Sequence, residues 1–205
     1  MSETLHDALV DEIKDLYNAE KQLLKVLPKM AKHATSEDLR AALESHLTET
    51  QGQIVRLERV FELLDEKPRG KHCAGMAGII EEGSDVLEED FEGAVMDACI
   101  IASGQRAEHY EMAAYGTSIA WAEALGLTEI AELLNETLAE EKAADEKLSA
   151  LAQGEINADA ATADQSSDEE GDEEAAARET SRPSPSTAKA TKTAKSASSR
   201  QRIRG

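Results

Sequence analysis

Apolar side chains recur at spacings of three and four residues along four long segments of this chain. That spacing places them on one face of an α-helix, so the pattern predicts amphipathic helices that pack together. Aromatic residues make up only 3% of the chain, while Ala, Leu, Glu and Lys are plentiful, which excludes an all-β fold. The predicted helices cover about residues 9–30, 39–64, 85–124 and 128–152.

The connections between these helices distinguish one bundle topology from another. Few residues separate the first helix from the second, around Ala34, or the third from the fourth, around Gly126, so each pair is a predicted antiparallel hairpin. About twenty residues, 65–84, join the hairpins and include a predicted short helix near 73–82. The order short, long, short is typical of ferritin-like folds. We therefore predict an all-α, ferritin-like four-helix bundle with a long crossover, a surface loop being the alternative for that crossover.

The end of the chain differs in composition from the predicted bundle. Residues 154–177 carry nine acidic side chains and no Lys or Arg, whereas residues 178–205 carry eight Lys or Arg and one acidic residue. Large apolar residues are almost absent, so this segment cannot bury enough surface to offset its chain entropy. The sequence predicts a bundle domain over residues 1–153 and a disordered, acidic-then-basic tail over 154–205.

The distribution of charge and hydropathy limits the classes of partner. The net charge is −20, and residues 1–153 hold 32 acidic against 14 basic side chains, so we expect the bundle to repel nucleic acid and the basic tail to bind it weakly at most. No apolar run is long enough to span a membrane, and the N-terminus lacks the features of a secretory signal. We therefore expect no membrane partner. Two cysteines are too few for a disulfide framework, so we expect the protein to be in the reducing cytoplasm.

Polar and ionisable residues interrupt the apolar stripe of each predicted helix near its middle. A lone ionised carboxylate inside a bundle costs several kcal/mol, so these side chains need compensating partners. They are Glu20 in the first helix, His46, Glu49 and Gln53 in the second, Glu108, Glu111 and Tyr115 in the third, and Glu141 and Asp145 in the fourth.

Two pairs of these carboxylates lie at equal distances from their turns. The midpoint of Glu20 and Glu49 is the predicted first turn, and the midpoint of Glu111 and Glu141 is Gly126. In an antiparallel hairpin such residues lie level with one another, here about 15 residues or roughly 22 Å from the turn. The two halves therefore look like a duplicated hairpin, and we expect the carboxylates to converge at mid-height in the bundle.

Several carboxylates in one apolar core cannot all ionise without a cation, since neighbouring like charges raise one another's pKa. Oxygen-rich ligation suits iron and manganese, so we predict two metal ions, iron first and manganese as the alternative. The predicted ligands are Glu49 and Glu141 as bridges, Glu20 and Glu111 as terminal ligands, and Glu108, Gln53 and Asp145 as further or alternative ones. The residues expected around these ligands are His46, His109, Tyr17 and Tyr115. Structural charge pairing, with Arg106 as the best-placed cation, is the alternative interpretation.

Five stretches of the chain resemble a known family over nearly all of residues 1–153. They read NAEKQLLKVLPKM, HLTETQGQIVRLERVF, KPRGKHCAGMAGIIEEG, GQRAEHYEMAAYGT and TLAEEKAADEKL, and they are similar to the YciE/YciF family of ferritin-like bacterial stress proteins. The resemblance implies a ferritin-like bundle with a dinuclear metal centre, a homodimer and induction under stress. The wider di-iron pattern carries Glu-x-x-His on the second and fourth helices, whereas Gly52 and Ala144 stand at the histidine positions here.

Two classes of function are compatible with these features. The first is a stress-protective metalloprotein that oxidises Fe(II) or consumes peroxide at a di-iron or di-manganese centre. The second is a non-catalytic stress protein that binds metal for stability and acts through partner proteins. No Gly-rich phosphate loop and no matched nucleophile, His and Asp set occur in the sequence.

Overall fold

The computed structural model describes residues 4–162, and within that range the chain contains helices and no strand. Five α-helices follow one another along it: α1, Leu5–His33; α2, Glu37–Leu63; α3, Ala74–Glu88; α4, Gly93–Ala124; and α5, Thr128–Leu151. The all-α prediction is confirmed, with α1, α2, α4 and α5 as the bundle and α3 as the short helix of the crossover. None of these helices is both long and apolar enough to cross a bilayer.

The bundle topology follows from contacts at the first turn. The Ser36 hydroxyl accepts from the Leu39 N–H and caps α2, while the backbone N–H groups of Thr35 and Ser36 donate to the Asp97 carboxylate in α4. The start of α4 therefore lies beside the turn between α1 and α2. Since α2 ends at the opposite end of the bundle, the crossover runs its full length, and α4 is antiparallel to α1, as the ferritin-like prediction requires.

The boundaries of the crossover helix differ from the prediction. The third long helix was expected to begin at Asp85, but residues 85–88 complete α3, and α4 begins only at Gly93, where φ is +55°. The physical reason is that one apolar face of α3, including Met76, Ile80 and Leu87, continues to its end and packs on the core. A positive φ at the glycine lets the chain reverse direction there without strain.

The second turn is as predicted, and α5 ends at Leu151, one residue before its predicted end, but residues 154–162, predicted as part of the disordered tail, are helical. Gly126 has a φ of +73° between α4 and α5. After α5 the chain continues through a π-helical segment, Ala152–Ile156, and remains helical to residue 162, because Ile156 is buried in the core and holds this extension in place. The rest of the predicted tail, residues 163–205, lies outside the described residues. The disorder and the weak DNA binding predicted for these residues stay predictions.

The core consists of two apolar clusters separated by a polar layer. One cluster contains the C-terminal part of α1 and the N-terminal parts of α2 and α4, and the other contains the opposite ends of these helices. In each bundle helix, buried polar residues lie near the boundary between the two clusters, while Asp97, Ser103 and Ser118 of α4 lie within the clusters. The layer consists of Glu20, His46, Thr50, Gln53, Glu108, Glu111, Thr137 and Glu141.

Candidate metal centre

Four side chains from three helices meet in the polar layer. His46 of α2, Glu108 and Glu111 of α4 and Glu141 of α5 each offer one ligating atom, and these atoms lie within 4.8 Å of one another. We call these four residues the metal-ligand group. All four are buried, and an i, i+3 spacing in α4 brings Glu108 and Glu111 to the same face of that helix.

The imidazole of His46 is held between carboxylates. Its Nε2 atom lies 3.3 Å from Glu108 Oε1 and 3.8 Å from Glu141 Oε2, while its Nδ1 atom lies 3.4 Å from Glu49 Oε2. Both ring nitrogens thus face carboxylates, and Nδ1 makes no hydrogen bond within the described residues. Glu49 thus contacts the outer side of the ring, and its side chain is 42% exposed.

Glu20 of α1 lies beside the metal-ligand group and is completely buried. The Tyr115 hydroxyl donates a hydrogen bond to its Oε1 atom, and its Oε2 atom has no hydrogen-bond partner. Burial, with repulsion from Glu141 added to it, raises the pKa of Glu20 to about 8. One oxygen of this carboxylate is therefore positioned and the other is available.

The remaining carboxylate oxygens are short of partners. Neither oxygen of Glu111 or of Glu141 accepts a hydrogen bond, nor does Oε2 of Glu108. Burial raises the pKa of Glu108 to about 8 and the pKa values of Glu111 and Glu141 well above their usual range, with neighbouring carboxylates adding to the shift for Glu111 and Glu141. Such a set fits a cation, since a bound ion would both neutralise the charge and use the available lone pairs.

Charge pairing with Lys or Arg does not explain these carboxylates. Arg106, the cation predicted for that role, is exposed, and no Lys or Arg in residues 4–162 pairs with Glu20 or the metal-ligand group. The one basic group beside them is His46. Burial lowers its pKa, but the contact with Glu49 and the charges of Glu141, Glu20 and Glu49 outweigh burial, so the net shift is upward.

The structure brings together Glu20, Glu108, Glu111 and Glu141, as the sequence predicted, but it does not place Glu49 with them. His46, which was expected outside the ligands, takes the corresponding place in α2. The buried stripe of α2 runs through Leu43, His46, Thr50, Gln53 and Leu57, in steps of three and four that omit position 49. That periodicity is the signal that identifies His46. Equal distance from the turn fixes a residue's height in the bundle, whereas the periodicity fixes which residues face the core.

The other predicted residues have partners outside the metal-ligand group. Gln53 is buried and donates to the Glu140 carboxylate, leaving its own carbonyl oxygen without a partner. Asp145 accepts from Gln105 and lies 3.3 Å from the exposed His109. Tyr17 donates to Glu58, so of the two predicted tyrosines only Tyr115 contacts a buried carboxylate of the layer.

An ion-pair network braces this side of the bundle. The Arg56 guanidinium of α2 donates to Glu140, to Glu136 and to the Thr137 hydroxyl, all on α5. The bidentate contact with Glu140 is a strong, directional one. It ties α2 to α5 at Glu140, the residue before Glu141, at a point ten residues beyond His46 along α2.

Fold and site together define a ferritin-like helical bundle with a buried carboxylate–histidine group at mid-height. The model of a family described as a domain of unknown function, DUF892, matches residues 4–161, and the chain belongs to that family. It is 44% identical over 155 residues to the protein YciF of Escherichia coli (strain K12), covering 75% of this chain and 93% of that protein. The resemblance drawn from the sequence is confirmed.

Solved structures agree with this assignment. The crystal structure of the E. coli stress protein YciF superposes with a TM-score of 0.73 at 43% identity, over 76% of this chain and 99% of that one. YcfI from Rhodopseudomonas palustris gives 0.71 at 48% identity, over 72% and 94%. A protein from Xanthomonas campestris pv. campestris, at 23% identity and a TM-score of 0.61 over 79% and 99%, shares the fold.

Proposed function

We propose that this protein is a carboxylate-bound iron protein, with manganese as the alternative metal, that protects against oxidative stress by consuming peroxide or oxidising Fe(II). The observation that carries the proposal is the metal-ligand group, with Glu20 beside it, in an otherwise apolar core. One imidazole and four carboxylates suit these metals and provide enough donors for two ions. Relatedness to a protein described as a stress protein supports the protective role.

Each side chain has a distinct task in this proposal. His46, Glu108, Glu111 and Glu141 would hold the first ion, and Glu20 would complete the site of a second ion shared with Glu111 or Glu141. Glu49 contacts His46 Nδ1 at 3.4 Å and would orient the ring, and Tyr115 orients Glu20 through its hydroxyl. Bound iron would supply one-electron redox chemistry, and the apolar clusters above and below restrict water around it.

Metal analysis followed by a peroxide assay tests the proposal. Protein purified without chelator should carry up to two iron or manganese ions per chain, and Fe(II)-loaded protein should consume hydrogen peroxide. Glu111→Gln should lose both properties, whereas His109→Gln, an exposed histidine on the same helix, should keep both. Full metal content in Glu111→Gln would sink the proposed site.

The same experiment separates the non-catalytic alternative. A protein that binds metal only for stability would melt at a higher temperature when loaded, yet it would leave peroxide and Fe(II) unchanged. The raised pKa values of the buried carboxylates favour a stabilising effect of the ion in either case.

A further inference from the structure

A cavity of about 350 Å³ adjoins the metal-ligand group on the side of the first turn. All five helices contribute to its wall, which includes His46 and Glu108 of the group itself. Protein interiors are normally packed to the density of organic crystals, so a space of this size is not a default property of a bundle. It falls within the range of small-molecule pockets.

Small side chains keep this space open. Gly104 and Ala107 of α4 and Ala144 of α5 form part of the wall, where a larger residue would fill the volume. Leu23 and Leu43 line it on the opposite helices, so its interior is apolar. The space thus leads along apolar side chains to two prospective ligands.

Burial of the wall residues shows where the cavity opens. The lining residues of α1 and α4 are all buried. In contrast, Ser45 of α2 is exposed, as are three lining residues of α5: Ala139, Ala143 and Lys147. The entrance therefore lies between α2 and α5. Ala143 lies exposed at this entrance.

The composition of the entrance and of the chain narrows the class of occupant. Lys147 offsets Glu49 there and Arg56 neutralises Glu140, so the entrance offers no uncompensated charge to an ionic ligand and a neutral molecule is preferred. Among residues 163–205 the only large apolar side chain is Ile203, so the tail of this chain offers little that could fill an apolar space.

We propose that this cavity admits small, neutral, apolar organic hydroperoxides to the metal-ligand group. The inference rests on the proposed function and names its substrate class. The apolar part of the substrate would lie among Leu23, Leu43 and Ala144, and its O–O group would lie towards Glu108 and His46. In the reaction ROOH + 2 Fe(II) + 2 H⁺ → ROH + H₂O + 2 Fe(III), the O–O bond breaks, each ferrous ion gives one electron, and solvent supplies both protons.

Binding of an unreactive analogue tests the cavity without the reaction. Cumyl alcohol should bind the metal-free, full-length protein in a calorimetric titration. Ala143→Phe at the entrance and Ala144→Leu in the wall should each weaken that binding at least tenfold. Ala150→Phe, at an exposed position of the same helix that does not line the cavity, should leave it unchanged.

Kinetics of the Fe(II)-loaded protein supply the second measurement. Ala143→Phe should lower kcat/KM for cumene hydroperoxide at least tenfold and that for hydrogen peroxide less than twofold, because only the larger substrate needs the entrance. Equal loss for both peroxides would overturn the inference. So would a parent protein that consumes hydrogen peroxide but does not bind cumyl alcohol, an outcome that leaves the proposed function standing.

Two further outcomes are decisive. Alcohol binding that Ala143→Phe abolishes, in a loaded protein that consumes neither peroxide, would establish an apolar ligand site and refute the redox function. If the parent binds no alcohol and Ala143→Phe changes its sedimentation, the entrance is an interface between copies of this chain and the inference is wrong.

Discussion

The two hairpins of the bundle share a backbone arrangement but contribute different chemistry. The first, α1 and α2, supplies Glu20 and the imidazole of His46, whereas the second, α4 and α5, supplies the three carboxylates Glu108, Glu111 and Glu141. Tyr17 precedes Glu20 by three residues just as Glu108 precedes Glu111, so a tyrosine of the first hairpin corresponds to a ligand of the second. The comparison teaches that two hairpins of similar arrangement can carry an asymmetric site, in which the second hairpin holds most of the negative charge.

Removing one carboxylate from each hairpin should produce the largest difference in metal affinity between the two hairpins. Glu141→Ala takes away a member of the metal-ligand group, and we expect metal affinity to fall by about 100-fold or more, since a lost ligand exceeds the 10- to 100-fold effect of an outer partner. Glu20→Ala should lower metal affinity about tenfold and should reduce the metal content by no more than one ion per chain. Competition titration with a chelator measures both, and equal losses would show that the hairpins contribute alike.

Removing the metal should lower the melting temperature of the whole bundle. An ion at about 100 times its Kd stabilises the fold by about 2.7 kcal/mol, which corresponds to about 5–10 °C for a chain of this size. Calorimetry of loaded and metal-free protein at neutral pH provides the measurement. Identical melting curves would count against a buried ion.

The difference in melting temperature between loaded and metal-free protein should change with pH in a defined direction. In the metal-free fold the pKa values of Glu20 and Glu108 are raised from 4.5 to about 8, so between these values the folded state binds more protons than the unfolded state. The contribution of these two groups to the stability of the metal-free protein is therefore full below about pH 4.5 and is lost as the pH rises through about 8. Metal binding needs deprotonated carboxylates and weakens in acid, so the gap between the two melting temperatures should narrow from pH 8 to pH 5.

The partners of the two histidines sharpen the comparison further. Glu49→Gln weakens the contact that orients His46, and we expect metal affinity to fall about tenfold, at the lower end for an outer partner. Asp145→Asn makes the matched change beside the exposed His109 of the second hairpin and should alter affinity less than twofold. If both variants bind metal like the parent, Glu49 does not orient the imidazole.

The smallest expected effect concerns the two tyrosines. Tyr115→Phe leaves Glu20 Oε1 without its donor in a fully buried position, so the free energy of unfolding of the metal-free protein should fall by about 1–2 kcal/mol. Tyr17→Phe removes a hydrogen bond to the partly exposed Glu58 and should cost about 0.5–1 kcal/mol. Chemical denaturation distinguishes them, and a larger loss for Tyr17→Phe would contradict the role given to Tyr115.

Much of the site could be predicted because burial forces a regular pattern on a helix. Glu20, Glu111 and Glu141 stood out as acids where the apolar stripe required hydrophobic residues, and the structure buries all three completely. Glu49 and His46 show the limit of the depth argument. Each residue turns a helix by about 100°, so two residues at nearly the same height can face the core and the solvent.

By itself the sequence determined the four long helices, both tight turns, the long crossover and the height of the polar layer, since periodicity and turn residues act locally along the chain. Tertiary packing decided which polar residues face inwards, where α3 ends, and that Ile156 carries the helical path beyond Gly154. Packing also decided that a cavity adjoins the site. These outcomes depend on how far neighbouring helices are rotated and separated, which side chains on several helices settle together.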